Sequence, residues 1–100
     1  MASVELALAA IEDLDALIIT HSLPADTRSR VARSLRALQD FPLLGAPLEG
    51  RWERVRFVLG PWRWLILVYV FIEREDRVVV VTIQDARSSA AATAARTSGA

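Results

Sequence analysis

Trp64 to Ile72 is a run of nine consecutive apolar residues, and no other feature limits so strongly what this chain can fold into. A bilayer-spanning helix needs roughly 20 apolar residues, so the run is too short to cross a membrane. It reads instead as a strand buried on both faces, which needs a neighbouring strand on each side and a covering layer. The flanks supply the neighbours. Glu53 to Leu59 alternates Val55, Phe57 and Leu59 against Arg54 and Arg56, the two-residue period of a half-buried strand. Gly60-Pro61 makes a turn, and Trp62 to Ile72 forms the long central strand. Glu73 to Asp76 makes a polar turn, and the Val-rich segment Arg77 to Asp85 forms the third strand. Three consecutive strands on short turns imply an antiparallel meander.

The covering layer lies upstream. From Leu8 to Ile19, Ala10, Ile11, Leu14, Leu17 and Ile18 recur at helical spacing, with Glu12, Asp13 and Asp15 opposite. His21 to Pro24 interrupts this helix. Ser22 is placed to cap a second one, with Pro24 and Asp26 in its first turn and an inward seam of Val31, Leu35 and Leu38. Arg30, Arg33 and Arg36 fall on the side away from that seam, and Phe41-Pro42 ends the helix. The short connection predicts an antiparallel helix hairpin. Val4 to Leu6 adds a short strand at the front. The predicted class is α+β, in the order β-α-α-β-β-β, with a two-helix hairpin packed on one face of a small antiparallel sheet. Residues 1 to 87 constitute the domain, and 88 to 100 a low-complexity tail rich in Ala, Ser and Thr.

At 100 residues there is room for one small domain. The absence of Cys excludes a disulfide framework, a thiol nucleophile and thiolate zinc sites, and a single His excludes the common His-pair metal motifs. No metal or cofactor is expected. The N-terminus lacks a basic leader, and acidic residues break its apolar stretch, so a cytoplasmic address is expected. The charge balance is zero, yet all 12 basic residues are Arg, permanently charged forks suited to phosphate and poor as bases. They are also segregated. Residues 1 to 27 carry acids and no Arg, whereas residues 51 to 63 carry Arg51, Arg54, Arg56 and Arg63 against Glu53 alone.

That second cluster is a candidate nucleic-acid face, because several guanidinium forks on one sheet can bind a phosphate backbone. Pairing with Glu49, Glu53, Glu73 or Asp85 is the competing reading. Trp52, Trp62 and Trp64 are candidates for stacking on bases, although Trp62 and Trp64 share a strand face, for which core packing is the favoured reading. His21, at a helix end, reads as structural or solvated, and Tyr69 as a core residue with its hydroxyl satisfied.

Taken in order, Val4-Glu5-Leu6, the helix Ala9-Ala10-Ile11-Glu12-Asp13-Leu14, Phe41-Pro42-Leu43-Leu44-Gly45 with Leu48 and Gly50, Arg56, Gly60-Pro61-Trp62-Arg63, and Ile83 to Arg87 resemble the RelE/ParE toxin superfamily. The resemblance covers roughly residues 3 to 90. It implies the toxin of a type II toxin-antitoxin module, held inactive by a cognate antitoxin. Two activities occur in the superfamily: ribosome-dependent mRNA cleavage, as an mRNA interferase or endoribonuclease, and inhibition of DNA gyrase. For the first, the resemblance implies phosphate binding and transition-state stabilisation by Arg54, Arg56, Arg63 and Arg87, with Arg56, Arg63 and Arg87 as catalytic residues, while the charge cluster itself offers Arg51, Arg54, Arg56 and Arg63 as nucleic-acid contacts.

The departures from the pattern bear on chemistry. Trp62 stands where many relatives have Tyr, Gln84 stands where many have His, and the tail has no Tyr. Attack by a 2′-hydroxyl needs proton transfer, for which arginine is unsuited. Glu49, Glu53 or Asp85 would have to serve as base, with the arginines stabilising charge. Ribosome-dependent cleavage is the favoured expectation. A non-catalytic gyrase inhibitor and a degenerate toxin that only binds its antitoxin remain as rivals.

Overall fold

The structure, a computed structural model, describes residues 1–47 and 54–87. Glu49, Arg51, Trp52, Glu53 and the tail from residue 88 lie outside the described residues. The order is β1 (Ser3–Leu6), α1 (Leu8–His21), α2 (Thr27–Leu35), β2 (Ala46–Pro47), β3 (Val55–Leu59), β4 (Leu65–Ile72) and β5 (Arg77–Asp85). A 3-10 turn, Arg36–Gln39, prolongs α2. The expected order is therefore observed, with a two-residue edge strand added. Among the described residues no helix is long and apolar enough to cross a membrane.

One sheet holds all five strands in the order β1-β5-β4-β3-β2. The apolar run is its central strand, antiparallel to β3 and to β5, while β1 runs parallel to β5, so the sheet is mixed. Leu65, Leu67 and Tyr69 of β4 are fully buried and join Val78, Val80 and Ile83 of β5 beneath Ala10, Leu14, Val31, Leu35 and Leu38 of the helical layer. Removing a Leu or Val side chain from water is worth about 1.5–3 kcal/mol, so this shared seam is the main stabilising contribution.

The alternation of β3 is legible in the sequence, but its sense is inverted. Arg56 lies opposite Tyr69 and Val58 opposite Leu67, on the helix side, whereas Val55, Phe57 and Leu59 lie opposite Val70, Val68 and Ile66 on the other face. The cause is that α1 packs over β5, so the helix side of β3 is covered by the segment before β2. Gly45 is buried there, and its N–H donates to the Tyr69 hydroxyl at 2.9 Å. Burial raises the Tyr69 pKa above its usual value, which keeps the hydroxyl protonated.

Two local expectations also change. Ser22 does not open α2. It closes α1 in the left-handed region at φ 50°, with Leu23 N–H bonded to Ile18 O at 3.0 Å and Ser22 N–H to Ile19 O at 3.4 Å. This is a six-to-one and five-to-two helix end. The second helix starts instead at Thr27, which is fully buried and donates its hydroxyl to Pro24 O at 2.6 Å. Asp13, assigned to the outer face of α1, turns inward. Its Oδ2 accepts from Thr82 Oγ1 at 2.6 Å and from Ile83 N–H at 3.1 Å, beside the β4–β5 register shift.

A Cβ at Gly45 would sit 2.6 Å from Phe57 O and 2.8 Å from the Tyr69 hydroxyl. The first neighbour is backbone and cannot move aside. Gly45→Ala is therefore expected to lower stability by about 1–3 kcal/mol, read as a lower urea midpoint at unchanged slope. An unchanged midpoint would show that the segment before β2 is not held against the sheet.

Candidate functional site

The groups with chemical potential gather where β4 begins and β5 ends, at the pair Leu65 and Asp85. The turn there is fixed by backbone bonds: Gly60 N–H to Leu65 O at 2.8 Å, Leu65 N–H to Trp62 O at 3.0 Å, and Ala86 N–H to Trp64 O at 2.7 Å. Asp85 shares a face with Leu65 and Ile83, so its carboxylate points under the C-terminal end of α1, where it is 7% exposed. A buried carboxylate needs partners, and Asp85 has several. Arg87 donates its backbone N–H to Oδ1 at 2.8 Å, Nε to Oδ1 at 3.1 Å, and Nη2 to Oδ2 at 3.3 Å. From α1, His21 places Nε2 at 2.8 Å from Oδ2. The Arg87 hydrogen bonds are the main reason that the Asp85 pKa falls to about 2, against the opposing effect of burial.

An aromatic layer adjoins this carboxylate. The His21 ring stacks on Trp64 with centroids 5.1 Å apart, and Trp62 stacks on Trp64 at 5.7 Å, both within 13° of parallel. The Arg87 guanidinium lies 4.5 Å from a Trp64 ring centroid and that of Arg30 5.8 Å from Trp62, cation–π contacts that hold both planar cations. Beside Trp62, an open groove of about 400 Å³ is lined by Asp26, Arg30, Arg33, Ser34 and Pro61. Among the described residues this end of the sheet is thus basic and aromatic, and Asp26 and Asp85 are already paired, Asp26 with Arg30 at 3.0 Å and Asp85 with His21 and Arg87.

Among the described residues, the arginines read from the sequence fall in different places along the sheet. Arg63, exposed in the turn before β4, and Arg87, after β5, share this end of the sheet. Arg56 is opposite Tyr69, four residues along β4, or roughly 13 Å away at the usual strand rise. Its Nη1 donates to Leu43 O at 3.2 Å and Gly45 O at 2.8 Å, and so ties the segment before β2 to β3. Arg54 is exposed just ahead of β3, farther still from the β4 start. Trp62 and Trp64 are half-buried against the core, consistent with the packing alternative. His21 is the group whose place was missed. Nothing near it in sequence indicates Asp85, and only the length of α1 relative to β5 brings the two together. Among the described residues, no group of three His, Asp or Glu could hold a metal ion.

Neither a protein-family model nor a curated protein matches the sequence. Solved structures do. The isolated Escherichia coli RelE toxin superposes with a TM-score of 0.63 at 18% identity, over 97% of this chain and 98% of that one. The fold is that of RelE. A chain of the RelBE2 toxin-antitoxin complex from Mycobacterium tuberculosis gives 0.64 at 21% identity, over 84% of this chain and 96% of that one. A chain of the intact E. coli RelBE complex gives 0.64 at 15%, over 88% of this chain and all of its own. On this RelE-like fold the expected α+β layering and element order are both met, while the sheet expected to be antiparallel is mixed because β1 pairs parallel with β5.

Two outcomes follow from the site geometry. Arg56→Ala is expected to cost about 1–3 kcal/mol in urea unfolding, because two carbonyls lose a charged donor, whereas Arg63→Ala stays within about 0.5 kcal/mol of the parent. Equal effects would remove the anchoring role of Arg56. Asp85 has a folded pKa of about 2, below its ordinary value of 3.8. Its contribution is therefore complete above about pH 4 and lost as the pH falls through about 2. The stability gap between the parent and Asp85→Asn should shrink over that window in acid titrations followed by circular dichroism, and a constant gap would contradict the pairing.

Proposed function

We propose that this protein is the toxin of a type II toxin-antitoxin pair and that it cleaves mRNA on the ribosome. The observation that carries the reading is the RelE-like fold with Arg63 and Arg87 at one end of its sheet, beside an aromatic layer and with both nearby carboxylates paired. In-line attack by a 2′-hydroxyl forms a 2′,3′-cyclic phosphate as the bond to the 5′-oxygen breaks. The hydroxyl proton passes to water and the leaving oxygen takes one from water, while preorganised guanidinium groups stabilise the charge on the phosphate without being proton carriers. Arg87 and Arg63 take that role, and Arg30 and Arg33 would meet flanking phosphates along the groove. Arg56, with one nitrogen tied to backbone carbonyls, acts chiefly by shaping the neighbouring segment.

A cognate antitoxin as partner is supported by the exposed apolar residues. Leu8, Ile11 and Ile19 stand out along α1, and Phe41, Leu43 and Leu44 along the segment before β2. Large exposed apolar residues in groups on so small a domain mark contact surfaces. Two of the matched structures are toxin-antitoxin complexes.

One observation favours gyrase inhibition without catalysis as the second reading. The imidazole of His21 has its Nδ1 buried and without a hydrogen-bond partner among the described residues, so it is poorly placed to move a proton. Expression without antitoxin separates the two readings. The nuclease reading expects new mRNA 5′ ends within reading frames, together with loss of growth arrest in Arg63→Ala/Arg87→Ala that still binds antitoxin. Gyrase-dependent DNA breaks with intact mRNA would replace it, and a soluble protein causing no arrest would leave a module that only binds its antitoxin.

A further inference from the structure

His21 lies 64 residues before Asp85 in sequence, yet it meets both groups that hold Arg87, the Asp85 carboxylate and the Trp64 indole. Oδ2 of Asp85 accepts from both His21 Nε2 and Arg87 Nη2, at 2.8 and 3.3 Å. Trp64 is stacked by the imidazole at 5.1 Å and by the guanidinium at 4.5 Å. A guanidinium held by two adjacent nitrogens on a carboxylate and by its face on an indole has little freedom left. Its Nη1 makes no hydrogen bond within the described residues, and the Arg87 side chain is 60% exposed. We infer that His21 and Asp85 are positioning residues for Arg87: the carboxylate fixes one edge of the guanidinium and the imidazole fixes both the carboxylate and the indole, so that Nη1 faces outward to take a phosphate oxygen.

This assignment rests on the reading of Arg87 as a phosphate-binding residue, but it makes a different demand on His21. A proton carrier must reach the substrate. His21 instead directs Nε2 inward to Asp85 and keeps Nδ1 buried. A positioning imidazole needs only a donor at Nε2 and a flat ring against Trp64, and a Gln side chain at the same place supplies the donor alone.

The test uses the full-length, ¹⁵N-labelled protein and its Arg Nε–H resonances, with that of Arg87 assigned from Arg87→Lys. In the parent, this proton should exchange slowly with water. In His21→Ala and in Asp85→Asn its exchange should quicken by about tenfold or more, because the clamp opens locally. His21→Gln should recover most of the protection. On programmed ribosomes, His21→Ala should lower kcat by about tenfold with KM within about twofold, since a misplaced group costs rate more than ground-state binding. Unchanged Arg87 Nε–H exchange in folded His21→Ala, or a loss that His21→Gln does not recover, would overturn the inference. The exchange measurement decides it whether or not the protein cuts mRNA. Absence of cutting by the parent would count against the nuclease reading alone.

Discussion

A single residue, Ala7, joins β1 to α1, and its N–H donates to Val80 O at 2.9 Å. That bond sets the start of α1 level with Val80 and leaves the helix to run along β5 past the end of β1. The rest is a matter of rise per residue. Six residues of helix advance about 9 Å and two or three residues of strand about 8 Å, which brings Asp13 beside Thr82 and Ile83. Fourteen residues of helix advance about 21 Å, and the five from Val80 to Asp85 span about 17 Å, which brings His21 to Asp85. The Asp13 bonds and the His21 bond are therefore consequences of one junction. A longer connection between β1 and α1 would have decoupled them.

The same geometry divides the arginines by role. Arg28 pairs with Asp15, Arg77 with Glu5, and Arg30 with Asp26. These contacts are exposed or partly so, and each contributes little to stability. Arg56 and Arg87 differ in kind, because their partners are buried or belong to the backbone. Arg56 holds a chain segment in place. Arg87 is itself held, by a carboxylate and an indole. A cation fixed in this way has already lost its rotamer freedom before a ligand arrives, which is the condition for electrostatic preorganisation.

Features that depend on local period were legible in the sequence, and those that depend on which neighbour covers a face were not. The nine-residue apolar run becomes the central strand, and the seam of Val31, Leu35 and Leu38 is buried as its spacing requires. The alternation of β3 was legible too, but alternation is symmetric between two faces, and the choice was made by the segment that carries Gly45. Ser22 illustrates the same limit. A Ser between two helices suits the start of one, and the backbone turned left-handed there to finish the other. His21 had no local signal at all, because its partner is defined by the length of a helix laid against a strand.

The separation between Arg56 and Arg87 also constrains how the proposed chemistry is divided. The partner of Arg56, Tyr69, and that of Asp85, Leu65, stand about 13 Å apart along β4, on whose two sides β3 and β5 lie, and Arg87 follows two residues beyond Asp85. The two guanidinium groups diverge as well. That of Arg56 is drawn toward the β2 edge by the carbonyls of Leu43 and Gly45, and that of Arg87 toward α1 by Asp85. The anchors draw the two cations toward different sides of the sheet. In the nuclease reading the charge developed at the scissile phosphate therefore falls to Arg87 with Arg63. Of the three arginines suggested by resemblance, Arg56 is the one whose hydrogen bonds go to backbone carbonyls, and the proposed reading gives it a structural part.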